Sequence, residues 1–191
     1  MSYMNTTPKL LRMLVVIALL SPALVGAQDE DKQLRREGEV FVHGASRSRF
    51  TAPKNWEVTK PENVAEIAKL NVRKPDKSVE ATITWSPLIG KMDEALDIEM
   101  LELSQKYGKE KVTKKEPITV ANKPVYIFMV DDGTARNVPA QNGKEIGVVF
   151  LFEAGPDDKN RWKIKLRGTV YKKEANEALK IVESLLQQFQ W

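Results

Sequence analysis

The pattern of apolar and polar positions is plainest in the last third of the chain, from Glu145 to Trp191. Ile146, Val148, Phe150 and Phe152 fall on alternate residues, and Trp162, Ile164 and Leu166 do the same after the turn Gly155-Pro156-Asp157-Asp158. A period of two predicts two strands joined by that turn. Beyond Gly168 the spacing changes. Ala175, Ala178, Leu179, Val182, Leu186 and Phe189 recur at three- and four-residue steps, which predicts an amphipathic helix.

Earlier segments follow the same logic. Ala68, Leu70 and Val72 alternate with polar residues, as do Val79, Ala81, Ile83 and Trp85 across the turn Pro75-Asp76-Lys77-Ser78. These form a predicted hairpin with one apolar and one polar face. Asp93 is placed to cap a helix from Glu94 to Lys106, ended by Gly108, with Leu96, Met100, Leu103 and Tyr107 facing inward. Lys109 to Lys115 reads as a basic connector. Val125 to Val130 and Val148 to Phe152 are apolar on both faces, so these strands are expected to be covered on both sides. Glu39 to His43 reads as a short strand, Pro61 to Ala65 as a turn or short helix, and Trp56 as a core residue. The expected fold class is α+β: a three-layer α/β/α sandwich with a mostly antiparallel central sheet and one helix per face.

The first 27 residues have a different character. Lys9 and Arg12 precede an apolar run from Met13 to Leu20, and Val25-Gly26-Ala27 supplies small or compact residues for cleavage. This is a Sec-type secretory signal in form, and the run falls short of the roughly 20 residues a spanning helix needs. Residues 28–39 are charged and aperiodic, a flexible leader, and 40–191 form one domain. The expected location is periplasmic or extracellular, in soluble form. With no cysteine in the chain, lipidation, disulfides, Cys-ligated metals and Cys nucleophiles are all excluded. Of the formal net charge of +4, Lys9 and Arg12 supply two with no acid among residues 1–27. The remainder is close to balanced, which gives no footprint for nucleic acid. Membrane contact is expected to be peripheral at most.

Segment order then suggests a relationship. Phe50-Thr51-Ala52-Pro53-Lys54-Asn55-Trp56, the helix entry Met92-Asp93-Glu94-Ala95-Leu96 and the hairpin Ile118-Thr119-Val120-Ala121-Asn122-Lys123-Pro124-Val125-Tyr126 together resemble the PsbP-like superfamily over residues 40–191. The family's members bind and assemble. The resemblance therefore implies an α/β/α sandwich and a binding role, and it carries over no site.

Candidate chemistry is sparse. His43 is the only histidine, so a multi-histidine metal site is excluded and a serine triad would need His43 itself. Ser46 and Ser48 lie nearby without a nucleophile elbow, and His43 is expected at the surface or on an edge strand. Asp131, Asp132, Asp157 and Asp158 would offer oxygen ligands to a divalent cation if their turns shared one end of the sheet, although Asp is also an ordinary turn residue. Lys163, Lys165 and Arg167 share one strand face, a candidate contact for an anionic surface or an acidic protein surface, or else a solvated or salt-bridged face or a lysine-guarded edge. Leu88 and Ile89 form an apolar connection suited to a partner, and 132–144 a long polar loop. No catalytic motif and no cofactor is implied. The expectation is a non-catalytic envelope module that recognises a protein partner, or alternatively a binder of a small ligand or divalent cation.

Overall fold

The computed structural model describes residues 34–61, 67–131, 144–172 and 175–191. The signal-like segment 1–27, Asp132 and most of the long polar loop lie outside the described residues.

Two sheets are present, antiparallel throughout. The larger is built from β4 (Glu57–Thr59), β5 (Ala68–Arg73), β6 (Val79–Pro87), β7 (Val112–Val120), β8 (Lys123–Asp131), β9 (Lys144–Ala154) and β10 (Trp162–Lys172), in the order β4-β5-β6-β10-β9-β8-β7. The smaller contains β1 (Leu34–Glu37), β2 (Val40–His43), β3 (Ser48–Thr51) and β11 (Phe189–Gln190), in that order. Among the described residues the α-helices are α1 (Met92–Tyr107) and α2 (Ala175–Leu186).

The predicted hairpin pairs as expected, with Leu70 opposite Ile83. The doubly apolar strands β8 and β9 are covered on both faces. One face joins the main core through Val125, Ile127, Val148, Phe150 and Phe152. The other supplies Phe128, Val130, Val149 and Leu151 to a second cluster with Ala95, Leu96 and Leu103 of α1.

The expected α/β/α sandwich is not what forms. Strand accounts for 52 % and helix for 22 % of the described residues, and one face of the large sheet is closed by the small sheet together with α2. Leu34, Phe41, Phe50 and Phe189 of the small sheet join Ala178, Val182, Leu185 and Leu186 of α2 in one core. Glu39 to His43, read as a short strand, is β2, but alternations of four residues are too short to predict that such strands pair into a second sheet. Residues 34–37, read as part of a flexible leader, are strand β1. Phe189, read as helical, is in β11 opposite Phe50. The basic connector up to Lys115 is largely strand β7, paired with β8 through a register shift between Lys115 and Ile118. The helix predicted from Glu94 begins earlier, with Lys91 rather than Asp93 at its cap.

Gly168 also differs from expectation. It does not end a strand but sits inside β10, opposite Val148 and Ala81. A Cβ built there would lie 2.6 Å from Cγ2 of Val182, so the absence of a side chain lets α2 settle onto the sheet. Gly168→Ala is expected to destabilise the fold by about 1–3 kcal/mol through overpacking. Gly168→Ala with Val182→Ala should recover part of that loss in urea unfolding; full stability in the single variant would show that the contact is not tight.

Candidate functional site

Strand β10 turns alternate residues to opposite faces. Trp162, Ile164, Leu166 and Val170 enter the main core, so Lys163, Lys165 and Arg167 must face the side that carries α1. The helix meets two of them. The Lys165 ammonium lies 2.7 Å from Oε2 of Glu99 and 3.8 Å from Oε2 of Glu102. The Arg167 guanidinium donates to the Tyr107 hydroxyl and lies over its ring, 5.4 Å from the centroid. Glu99 is buried at 3 % exposure, and an ionised carboxylate there needs its partner close by. Of the alternatives for the basic row, Lys165 and Arg167 follow the salt-bridged one and form an internal seam between helix and sheet rather than an open anionic-surface contact. Lys163, which is half-buried and registered opposite Ser86 and Glu153, is not joined to α1 by a hydrogen bond or ion pair. Lys165→Met is expected to cost about 3 kcal/mol, because it leaves Glu99 charged and unpaired. Lys165→Met with Glu99→Leu should regain most of it in equilibrium unfolding, whereas an equal loss in both would mean the pair is not coupled.

The connection from β6 to α1 separates Leu88 from Ile89. Leu88 packs against the α1 cluster, and its backbone N–H donates to the Arg161 carbonyl at 2.9 Å. Arg161 forks onto Glu153 through Nε at 2.6 Å and Nη2 at 2.7 Å, and reaches the Gly90 carbonyl with Nη1 at 3.2 Å. Gly90 has φ +77, and a Cβ there would lie 2.2 Å from Oε2 of Glu94. That same oxygen accepts the Lys91 N–H at 3.1 Å and caps the helix. Every residue around Ile89 is tied, yet Ile89 itself is 89 % exposed. Nearby on α1, Ile98 and Leu101 are 55 % and 58 % exposed. Three of the four large apolar residues exposed among the described residues thus fall between positions 89 and 101.

The Arg161 hydrogen bond holds the Glu153 carboxyl below the usual glutamate range, against the opposing effect of burial, and the same bond raises Arg161. A depressed folded-state pKa stabilises the folded form above the unfolded carboxylate value of about 4.3. That contribution is lost as pH falls through the lower folded value. Protection of the Leu88 and Lys91 amides relative to the intrinsic exchange rate is expected to fall on acidification below about pH 4 in the wild type. In Glu153→Gln that protection should be low throughout. A wild-type loop whose exchange follows only the intrinsic acid dependence would remove the Arg161 tie from the account.

The acidic turns do not converge. Asp131 stands opposite Ile146 near the start of β9, while Asp157 and Asp158 follow the other end of that strand, roughly 25 Å away at ~3.3 Å per residue. Asp157 is used locally. Its Oδ1 accepts from the backbone N–H groups of Lys159 and Asn160 at 2.8 and 2.9 Å. Hydrogen bonds from the Asn160 side chain and these amides lower its pKa. No group of three or more metal-ligating residues occurs among the described residues.

His43 is not at the surface. It is fully buried, stacked on Trp85 with centroids 5.9 Å apart and edge-on to Trp162 at 4.5 Å. Its Nδ1 lies 2.8 Å from Ser46 Oγ, which lies 2.8 Å from Ser48 Oγ, which accepts the Trp85 indole N–H at 2.8 Å. A serine beside a histidine has the parts of a nucleophile and base. Here both serines are buried where no substrate reaches, and the chain of hydrogen bonds ties the small sheet to the large one.

A trough of about 380 Å³ lies on the polar face of β4, β5 and β6. The Glu57–Arg73 ion pair, with contacts of 3.0 and 2.5 Å, lines it beside Glu80, Thr59 and the Thr82–Asn71 hydrogen bond. The polar positions of the β5–β6 alternation were its signal, read only as a solvent face. No helix among the described residues is long and apolar enough to cross a membrane. The chain matches no protein-family model and none of the curated proteins.

Proposed function

We propose that this is an exported, non-catalytic module of the cell envelope that works by recognising a protein partner through Ile89 and the outer side of α1. The observation that carries the reading is an isoleucine held in solvent by a connection tied at Leu88, Gly90 and Lys91. A loose loop would turn such a side chain toward the core. A tied one presents it at little further entropic cost on binding. The signal-like first 27 residues support export. Expected from affinity capture in a native envelope extract is one or a few stoichiometric partners, retained at least about tenfold less by Ile89→Asp, as for a central apolar anchor. Equal retention by the variant would sink the reading.

A second reading, binding of a small polar ligand, rests on the trough over β4–β6, whose volume falls within the usual range for ligand sites. A blank capture from a folded protein would favour it. The divalent-cation version is less favoured, since Asp131 stands at the opposite end of β9 from Asp157 and Asp158.

A further inference from the structure

We infer that the outer face of α1 docks a basic amphipathic segment of another protein, with apolar side chains spaced to meet Ile98 and Leu101. The inference rests on the recognition reading above and names the chemistry of the partner. The inner side of α1 is already used: Ala95, Leu96 and Leu103 are in the core, and Glu99 is spent on Lys165. Ile98 and Leu101, three residues apart and hence on one side of the helix, contribute little to that packing. Around them stand three acidic side chains, one of which, Glu102, also lies 3.8 Å from the Lys165 ammonium. Glu94 lies one turn before Ile98, Asp97 beside it and Glu102 one turn after, and all three are exposed. The helix has five carboxylates against the single lysine Lys106, in a chain whose formal net charge is +4. An apolar centre with an acidic rim, on a chain that is close to balanced beyond residue 27, is the anatomy of a selective interface: the centre gives affinity and the rim selects the sign of the partner.

That sign narrows the occupant. Anionic lipid and nucleic acid are repelled by the rim. A second copy docked helix to helix would set carboxylate against carboxylate, which costs several kcal/mol in an interface. A basic segment with apolar residues at three- and four-residue steps satisfies both the centre and the rim.

The test uses the whole protein and three synthetic peptides: a helical leucine–lysine peptide, its leucine–glutamate counterpart and a serine–lysine control. Binding is followed by titration calorimetry at low and high salt and by amide chemical shifts. The leucine–lysine peptide is expected to bind, with shifts centred on residues 94–102, and the other two at least about tenfold more weakly. Ile98→Ser with Leu101→Ser should lower affinity by at least about tenfold. Asp97→Asn with Glu102→Gln should lower it roughly threefold and flatten the salt dependence. All four positions are exposed, and unchanged circular dichroism would show that the variants fold. Absent binding, equal binding of the glutamate peptide, shifts centred elsewhere, or self-association through α1 would each overturn the inference. Loss of native capture in Ile89→Asp alongside any of these results would leave the recognition reading standing and remove only the basic partner.

Discussion

A buried carboxylate has few places to go, and Glu99 decides where α1 lies. Among the described residues it is the one charged group in the buried set, and its counter-ion comes from Lys165 on β10. The desolvation cost of such a pair means that it adds little net stability, but a mispaired Glu99 would be penalised heavily. Sliding α1 by one turn along the sheet would separate the two groups. The pair therefore acts as a register mark, and Arg167 over Tyr107 marks the C-terminal end of the same helix. With α1 held along β7 to β10, no described helix covers the half of that face made by β4, β5 and β6. There the alternate residues are Asn71, Arg73, Glu80, Thr82 and Thr84, which can face water without cost. The helix position, the polar trough and the outward direction of Ile98 and Leu101 all follow from it.

The opposite face is closed from both ends of the described chain. Phe189 of β11 contacts Phe50, Trp85, Phe152 and Trp191, so the last residues pack beside strands formed near the start. The small sheet would expose its apolar side without β11 and α2, and α2 in turn reaches the sheet because Gly168 has no side chain. Burial of Trp85 beneath the small sheet then requires an acceptor for its indole N–H, which Ser48 provides. The His43–Ser46–Ser48 sequence, which invites a catalytic reading, is better accounted for by that requirement: a buried donor left without a partner costs about 1–3 kcal/mol.

The legible parts of the fold were those in which one period ran for six residues or more. The alternations of β5, β6, β8, β9 and the first half of β10 located the large sheet, and doubly apolar β8 and β9 correctly announced cover on both faces. The inward stripe of α1 was readable for the same reason. The small sheet was hidden because each strand is four residues or fewer and β1 is mostly polar. The start of β7 was hidden because an edge strand with nearly every residue exposed carries no alternation. Gly168 misled because glycine punctuates loops more often than it marks close packing in a strand. At the candidate surface, Ile89 was picked out from the sequence together with Leu88, but only the tertiary ties distinguish the anchor from the displayed residue. Lys165 and Arg167 stand out in the sequence by their charge, and nothing local to β10 reveals that a helix 60 to 66 residues earlier supplies Glu99 and Tyr107.

The connection between β6 and α1 shows why a surface residue can be informative when its neighbours are not free. Ile89 is flanked by a buried leucine and by a glycine in a left-handed conformation pressed against Glu94. Arg161 binds the far side of the same turn through both its carbonyl and its guanidinium. Each tie removes a motion by which Ile89 could shelter its own apolar surface. Holding it outward forgoes the favourable burial of a large side chain, worth about 1.5–3 kcal/mol when complete, and the fold obtains no packing there in return. A partner that covers Ile89 recovers that term without first having to order the loop. The acidic rim of α1 begins within the same turn, at Glu94, which caps the helix and closes over Gly90. The residue that stiffens the connection would thus also be the first charge a partner of the proposed kind meets, so in that proposal rigidity and selectivity come from one side chain.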